Sequence, residues 1–207
     1  SIIPRDCVVV LESTVYPGAT EERVAPTLVE NGLTLGEDVF VAFSPERLDP
    51  GRDDIGLTEI PKVLGGVTDA CGDRAEAVYD TVFDEVVRVD SATEAELVKL
   101  LENTFRAVNI GLINEMAMIA HKLDVDIWNV VDAAATKPYG FMPFYPGPGL
   151  GGHCIPIDPL YLSWKAGQQG VETEFIDLAD EVNREMPRQV VQRVTRLLND
   201  EGPALSE

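Results

Sequence analysis

The chain has 207 residues, 45% of them hydrophobic, and a formal charge of −20 from 36 acidic against 16 basic side chains. That length allows one or two domains with a buried core, while the acidic balance opposes a phosphate-binding surface for nucleic acid. No run of 18 apolar residues occurs, Ser1 to Arg5 lack the pattern of a signal peptide, and three widely spaced cysteines argue against a disulfide framework. The expectation is a cytoplasmic protein with no nucleic-acid or membrane partner. Only five of the basic residues are lysine, and a lysine-poor, acidic surface suggests adaptation to high salt, where screening weakens self-repulsion.

Cys7 to Leu11 is a β-branched run suited to a strand buried on both faces, and it ends in Glu12-Ser13-Thr14-Val15-Tyr16-Pro17-Gly18. Thr20 is placed to cap a helix carrying Val24, Leu28 and Val29, which Gly32 stops. Val39 to Phe43 reads as a second buried strand, with Ser44-Pro45-Glu46-Arg47-Leu48-Asp49-Pro50-Gly51 at its carboxyl end. Lys62 to Gly66 predicts a third strand, residues 73–83 a helix, and Val86 to Val89 a fourth strand. Strands alternating with helices predict a parallel, doubly wound sheet whose ligands bind at the carboxyl ends of strands, where Thr14 and Glu46 fall. A complete dinucleotide-binding domain opens with a strand and a G-x-G-x-x-G turn, and none stands at the start of this chain. Residues 1–90 are therefore expected to be the later half of a Rossmann-like NAD-binding domain.

From about Thr93 to Lys122 the pattern becomes one long helix, interrupted only by Gly111. Its apolar residues, from Leu97 to Met116, cover much of the circumference, so burial on more than one side is predicted. Lys99 and Asn103 stand four apart on one face; Lys99 either serves a site or extends to solvent. Helices are also predicted over 126–135, 159–168 and 174–198, making residues 91–199 an all-helical domain, with 200–207 the start of a linker.

Between these helices lies Pro146-Gly-Pro-Gly-Leu-Gly-Gly-His-Cys-Ile-Pro-Ile-Asp-Pro159. Gly147, Gly149, Gly151 and Gly152 let the backbone approach a ligand or take positive φ. Asp158 followed by Pro159 reads as a helix cap with proline at the first helical position, so Cys154 lies just before a helix N-terminus, whose partial charge favours thiolate. A lone cysteine also suits plain packing, and Asp158 also suits a cap with no other task. His153 adjoins Cys154, but His121 is the only other histidine and neither Cys7 nor Cys71 has ligand spacing, so no metal is expected.

Four strings in matching order, Ser-Thr-Val-Tyr-Pro-Gly at 13–18, Ser-Pro-Glu-Arg-Leu at 44–48, Glu-Leu-Val-Lys-Leu-Leu-Glu-Asn at 96–103 and Gly-Gly-His-Cys-Ile-Pro-Ile-Asp-Pro at 151–159, resemble the UDP-glucose/GDP-mannose dehydrogenase family. Residues 137–154 are most similar to the branch that acts on UDP-N-acetylhexosamines. The resemblance implies oxidation of a sugar C6 alcohol to a carboxylate by two NAD⁺, through a thiohemiacetal and a thioester on Cys154. It makes Lys99 and Asn103 stabilisers of charge on the C6 oxygen, Asp158 an orienter of water, Glu46 the base for thioester hydrolysis, and Thr14 a positioner of water beside it. Ser13, Thr14 and Cys154 would contact the nicotinamide. Glu46, Arg47, Leu48, Lys99, Asn103, Tyr145, Gly147, Gly149 and Gly151 would contact the UDP-sugar. After Glu46 the UDP-glucose branch has a second acid where this chain has Pro50, so a nicotinamide contact there does not carry over. The resemblance further implies a homodimer through the long helix and a C-terminal uridine-binding domain that this chain stops short of.

Three alternatives stay open from sequence. One is a UDP-glucose 6-dehydrogenase, and another a 3-hydroxyacid or 6-phosphogluconate type dehydrogenase, which needs no nucleophilic cysteine. The third is a helical dimerisation core inactive by itself.

Overall fold

A computed structural model describes residues 3–48 and 56–201, and among these described residues there are four short strands and six α-helices. Asp49, Pro50 and Gly51 of the loop after the second strand lie outside the described residues, as does the predicted linker beyond Glu201. The chain divides into two compact units, Ser1–Glu102 and Asn103–Glu207.

In the first unit, β1 (Cys7–Leu11) and β2 (Val39–Phe43) pair in parallel, Cys7 opposite Val39 and Leu11 opposite Phe43. β3 (Lys62–Gly66) and β4 (Val86–Val89) also pair in parallel. The sheet order is β1-β2-β3-β4. The expected parallel pairing holds for these two pairs, while at the centre of the sheet β2 and β3 are antiparallel, with Ala42 opposite Gly66 and Phe43 opposite Gly65. A parallel neighbour requires a crossover, usually a helix. The antiparallel pairing means that the chain doubles back between β2 and β3, where the described residues include the 3₁₀ turn Leu57–Glu59.

Burial follows the sequence in β2 but not in β1, which was expected to be buried on both faces and is only half-buried along its whole length. Val39, Val41, Ala42 and Phe43 are fully buried, and Leu28 and Leu33 close over Val39 and Val41. Thr20 does not cap a helix: it begins a π turn (Thr20–Val24) that continues into α1 (Ala25–Glu30), and its hydroxyl is committed elsewhere. α2 is Asp69–Tyr79, earlier than predicted, because Thr68 caps it by accepting from the Cys71 N–H. The first part of α3 (Ala92–Lys122) lies close on the sheet, Ala92 and Ala95 packing with Phe43 and Val63. A Cβ on Gly65 would overlap the Ser91 carbonyl, so glycine is needed for that approach.

The second unit comprises the rest of α3, α4 (Ile127–Ala135, capped by Asp126), α5 (Asp158–Gln168) and α6 (Glu174–Glu201). α6 extends past its predicted end and absorbs the first two residues of the predicted linker. The long helix is not buried all round. Leu97, Leu101, Phe105, Leu112, Met116 and Ile119 keep 40–63% of their surface exposed. None of the helices among the described residues is long and apolar enough to cross a membrane.

Candidate active site in two halves

In the first unit the polar residues collect where β1 and β2 end. Past Leu11 come Glu12 and Ser13, exposed, and Thr14, half-buried. Past Phe43, Ser44 and Pro45 are buried and Glu46 emerges to solvent. Both Glu46 carboxylate oxygens are engaged, Oε1 by the Leu48 N–H at 2.7 Å and Oε2 by Lys62 Nζ at 3.5 Å. Burial, the largest single influence, pushes the Glu46 carboxyl up. The N–H of Leu48, the charge of Lys62 and the N–H of Arg47 together outweigh it and hold Glu46 below the ordinary carboxylate value. Glu46 is therefore a carboxylate at neutral pH and can accept a proton.

Lys99 does not simply extend to solvent. Half-buried on α3, it donates to the backbone carbonyl of Glu46 at 2.6 Å. Arg47, by contrast, is spent on structure: its guanidinium donates to the Pro61 carbonyl and to Glu102, both at 2.7 Å. Leu48 is exposed.

Glu96, one turn before Lys99, was not among the predicted site residues. Only 1% exposed, it accepts from the Gly18 N–H at 2.5 Å, the Thr20 N–H at 2.8 Å and the Thr20 hydroxyl at 2.6 Å. Burial pushes its carboxyl up, and those donors partly offset the rise. Glu96 thus fixes the far end of the loop that carries Ser13 and Thr14. The signal was present: Glu96 is spaced four and seven residues from Leu100 and Asn103, on the buried stripe of the helix.

In the second unit Asn103 donates its side-chain amide to Asp158 Oδ2 at 2.5 Å, and both residues are buried. The sequence-based cap is corrected here. Asp158 is the first residue inside α5, the cap position is Ile157, and no side chain caps the helix. With its carboxylate turned to Asn103, it has left that role. Cys154 is exposed and lies in the turn that leads into α5, its carbonyl accepting the N–H groups of Ile157 at 2.9 Å and Asp158 at 2.8 Å.

The glycine loop is held by two buried asparagines that the sequence reading missed. Asn114 on α3 accepts the Gly147 N–H at 2.9 Å and donates to Asn183 of α6 at 3.0 Å, while Asn183 donates to the Ala107 carbonyl at 2.9 Å. Gly149 has φ +102°, and a Cβ there would stand 2.6 Å from the Asn183 carbonyl oxygen, so this position demands glycine. No atom stands within 4 Å of a Cβ built on Gly147 or Gly151. Tyr145 stacks on Trp128 and donates its hydroxyl to Asp132 at 2.8 Å, a bond that raises its pKa above the ordinary value. Among the described residues no group of three or more His, Cys, Asp or Glu is arranged to hold a metal ion.

Known proteins share this arrangement of parts. Residues 1–83 match the NAD binding domain of the UDP-glucose/GDP-mannose dehydrogenase family, and residues 93–185 match its central domain. The chain is 42% identical over 203 residues to Protein CapL of Staphylococcus aureus, covering 97% of the chain and 47% of that protein. It is 37% identical to the UDP-N-acetyl-D-glucosamine 6-dehydrogenase of Salmonella typhi, covering 98% of the chain and 48% of that protein. The solved structure of a UDP-D-ManNAc dehydrogenase from Pyrococcus horikoshii superposes with a TM-score of 0.88 at 34% identity, over 97% of the chain and 47% of that structure. The chain thus spans about half the length of the curated relatives it matches.

Proposed function

Since the chain belongs to the UDP-glucose/GDP-mannose dehydrogenase family, we propose that it carries the catalytic thiol and its supporting groups in an NAD-dependent enzyme. The reaction oxidises the C6 alcohol of a UDP-N-acetylhexosamine, UDP-N-acetylglucosamine or UDP-N-acetylmannosamine, to the carboxylate. The exposed Cys154 thiol, in a turn whose next helix begins with the buried Asp158 bonded to Asn103, is the observation that supports this reading most directly. The names of the relatives from Salmonella typhi and Pyrococcus horikoshii favour an N-acetylhexosamine over glucose.

Bound NAD⁺ supplies the oxidising power, accepting a hydride in each of the two oxidations. The residues here fit one end of that cofactor. The loop after β1, tied by Glu96 at Gly18 and Thr20, offers the hydroxyls of Ser13 and Thr14 at a strand end; a nicotinamide contact from Cys154 rests on the family resemblance.

Lys99 and Asn103 stabilise negative charge on the C6 oxygen. One Asn103 amide hydrogen goes to Asp158 and the second remains for the substrate; the Lys99 ammonium has two hydrogens beyond the one given to the Glu46 carbonyl. Once the aldehyde exists, the Cys154 thiolate bonds to its carbon, the C=O π pair moves to the oxygen faced by Lys99 and Asn103, and protonation of that oxygen gives the thiohemiacetal. Its oxidation leaves a thioester. Asp158 and Thr14 orient a water, and Glu46 takes one of its protons as the oxygen bonds to the thioester carbon. The C–S bond then breaks, and the electron pair returns to the Cys154 sulfur. The glycine loop would lie along the sugar nucleotide, where Gly147 and Gly151 leave space; contacts from Tyr145, Arg47 and Leu48 rest on the family resemblance. Residues 1–90 would be part of the NAD-binding domain and 91–199 the central domain.

A homodimer through α3 accounts for the apolar residues left exposed on that helix, since a patch of that size on a monomer calls for a partner. The enzyme is proposed to work in the cytoplasm, at high salt. The test is to offer the full-length enzyme UDP-N-acetylglucosamine, UDP-N-acetylmannosamine and UDP-glucose and to count NADH formed per sugar consumed. Two NADH per N-acetylhexosamine support the reading. One NADH per sugar, or oxidation of UDP-glucose alone, contradicts it.

A further inference from the structure

The antiparallel reversal between β2 and β3 has a chemical effect. Phe43, the last residue of β2, is opposite Gly65, so the earlier residues of β3 run on beyond the carboxyl end of β2. The first of them, Lys62, thereby reaches the edge where Glu12 and Glu46 emerge. In an all-parallel sheet it would have stood at the other end.

Lys62 is 5% exposed, unusual for lysine. Its Nζ lies 3.2 Å from Glu12 Oε1 and 3.5 Å from Glu46 Oε2. The rings of Tyr79 and Phe83 close it in, their centroids 5.9 Å and 5.3 Å from Nζ. Glu12 is held in turn by the Tyr79 hydroxyl at 2.6 Å. Lys62 is thus a cation fixed in position, while each of its two carboxylates keeps nearly half its surface in solvent. An ordinary surface ion pair would leave both partners mobile and contribute little.

We propose that Lys62 is a positioning residue for Glu46, holding that carboxylate ionised and aimed so that it can take a proton from the water that hydrolyses the thioester. The inference rests on the reading of Glu46 as the hydrolytic base. Among the described residues, the charged and titratable groups around Glu46 have definite parts. From β3, Lys62 draws it toward the ionised form. Glu12, after β1, opposes that and shares the lysine. Tyr79 on α2 binds Glu12, and burial raises its hydroxyl far above the ordinary value, so it stays a neutral donor. Lys99 on α3 binds the Glu46 carbonyl, not its carboxylate. Arg47 turns its guanidinium to Glu102 and Pro61.

The sign of each variant follows. Lys62→Met removes the cation and leaves burial and Glu12 opposed only by the N–H groups of Leu48 and Arg47, so Glu46 rises. The acid limb of the pH profile for net turnover should move to higher pH by roughly one unit. Lys62→Arg should restore most of the shift. Glu12→Gln removes the competing anion and should move the limb the other way, to lower pH. A residue that merely props up the fold would lower the rate without moving the limb.

The experiment measures pH profiles of the full-length enzyme with UDP-N-acetylhexosamine for these three variants and Glu46→Gln, with single-turnover release of product from the thioester as the second readout. The account expects opposite shifts for Lys62→Met and Glu12→Gln, and loss of hydrolysis in Glu46→Gln. An unmoved limb in Lys62→Met alongside a dead Glu46→Gln overturns this inference alone. Full hydrolysis in Glu46→Gln overturns the reading beneath it as well. Should Lys62→Met fail to fold, Glu12→Gln still decides, because an unmoved or raised limb there contradicts a shared lysine.

Discussion

In the proposed reaction Lys99 and Cys154 would serve different stages, and substitution separates them. Lys99→Ala removes an electrophilic cation needed in both oxidations, so the first hydride transfer and net turnover should fall together, by about a hundredfold or more. Single-turnover NADH formation checks this; an unimpaired first oxidation would return Lys99 to a structural role, holding the Glu46 carbonyl. These residues could be proposed from sequence because they stand in short strings: a glycine loop ending in a cysteine, and a lysine four residues before an asparagine. Lys62 was not legible. Its identity was visible, but its place at the reactive edge depends on the direction of β3, which no residue in that strand declares. Asp158 was read as a cap because aspartate before proline is an ordinary one, and only the packing of Asn103 turns it inward.

The strands and helices fell close to where hydrophobic period and β-branching placed them, because β1, β2 and the buried stripe of α3 have few polar interruptions. Polar residues inside those elements carried the information that period reading discards. Glu96 is one such residue. Glu96→Ala would strand the buried N–H groups of Gly18 and Thr20, costing about 1–3 kcal/mol in a denaturant melt. A variant as stable as the parent would show that the loop after β1 is held by other contacts. The glycine loop makes a parallel case in the second unit. Gly149→Ala forces a side chain into positive φ and against the Asn183 carbonyl, for a strain of about 1–3 kcal/mol. Held away from the Asn114–Asn183 pair, the loop should bind sugar nucleotide more weakly, read as a rise in KM larger than any fall in kcat. An unchanged KM would count against a substrate role for this loop.

For the whole molecule, the charge of −20 and the exposed apolar face of α3 make separate demands. Self-repulsion among acidic side chains weakens as salt screens it, so the melting temperature should climb by several degrees between dilute buffer and molar salt. Equal stability in the two would contradict salt adaptation. A dimer through α3 should give twice the chain mass in light scattering, and a monomer at high concentration would contradict it. The central claim, that Cys154 is a nucleophile in a four-electron oxidation, is tested most directly by Cys154→Ser in the full-length enzyme. A hydroxyl with no histidine-carboxylate base beside it does not replace a thiolate, so steady-state production of the uronic acid should fall by several orders of magnitude. Fold and first hydride transfer should survive, leaving one equivalent of NADH and a bound aldehyde. Full steady-state turnover in Cys154→Ser would contradict the mechanism and return Cys154 to the status of an exposed, unreactive side chain.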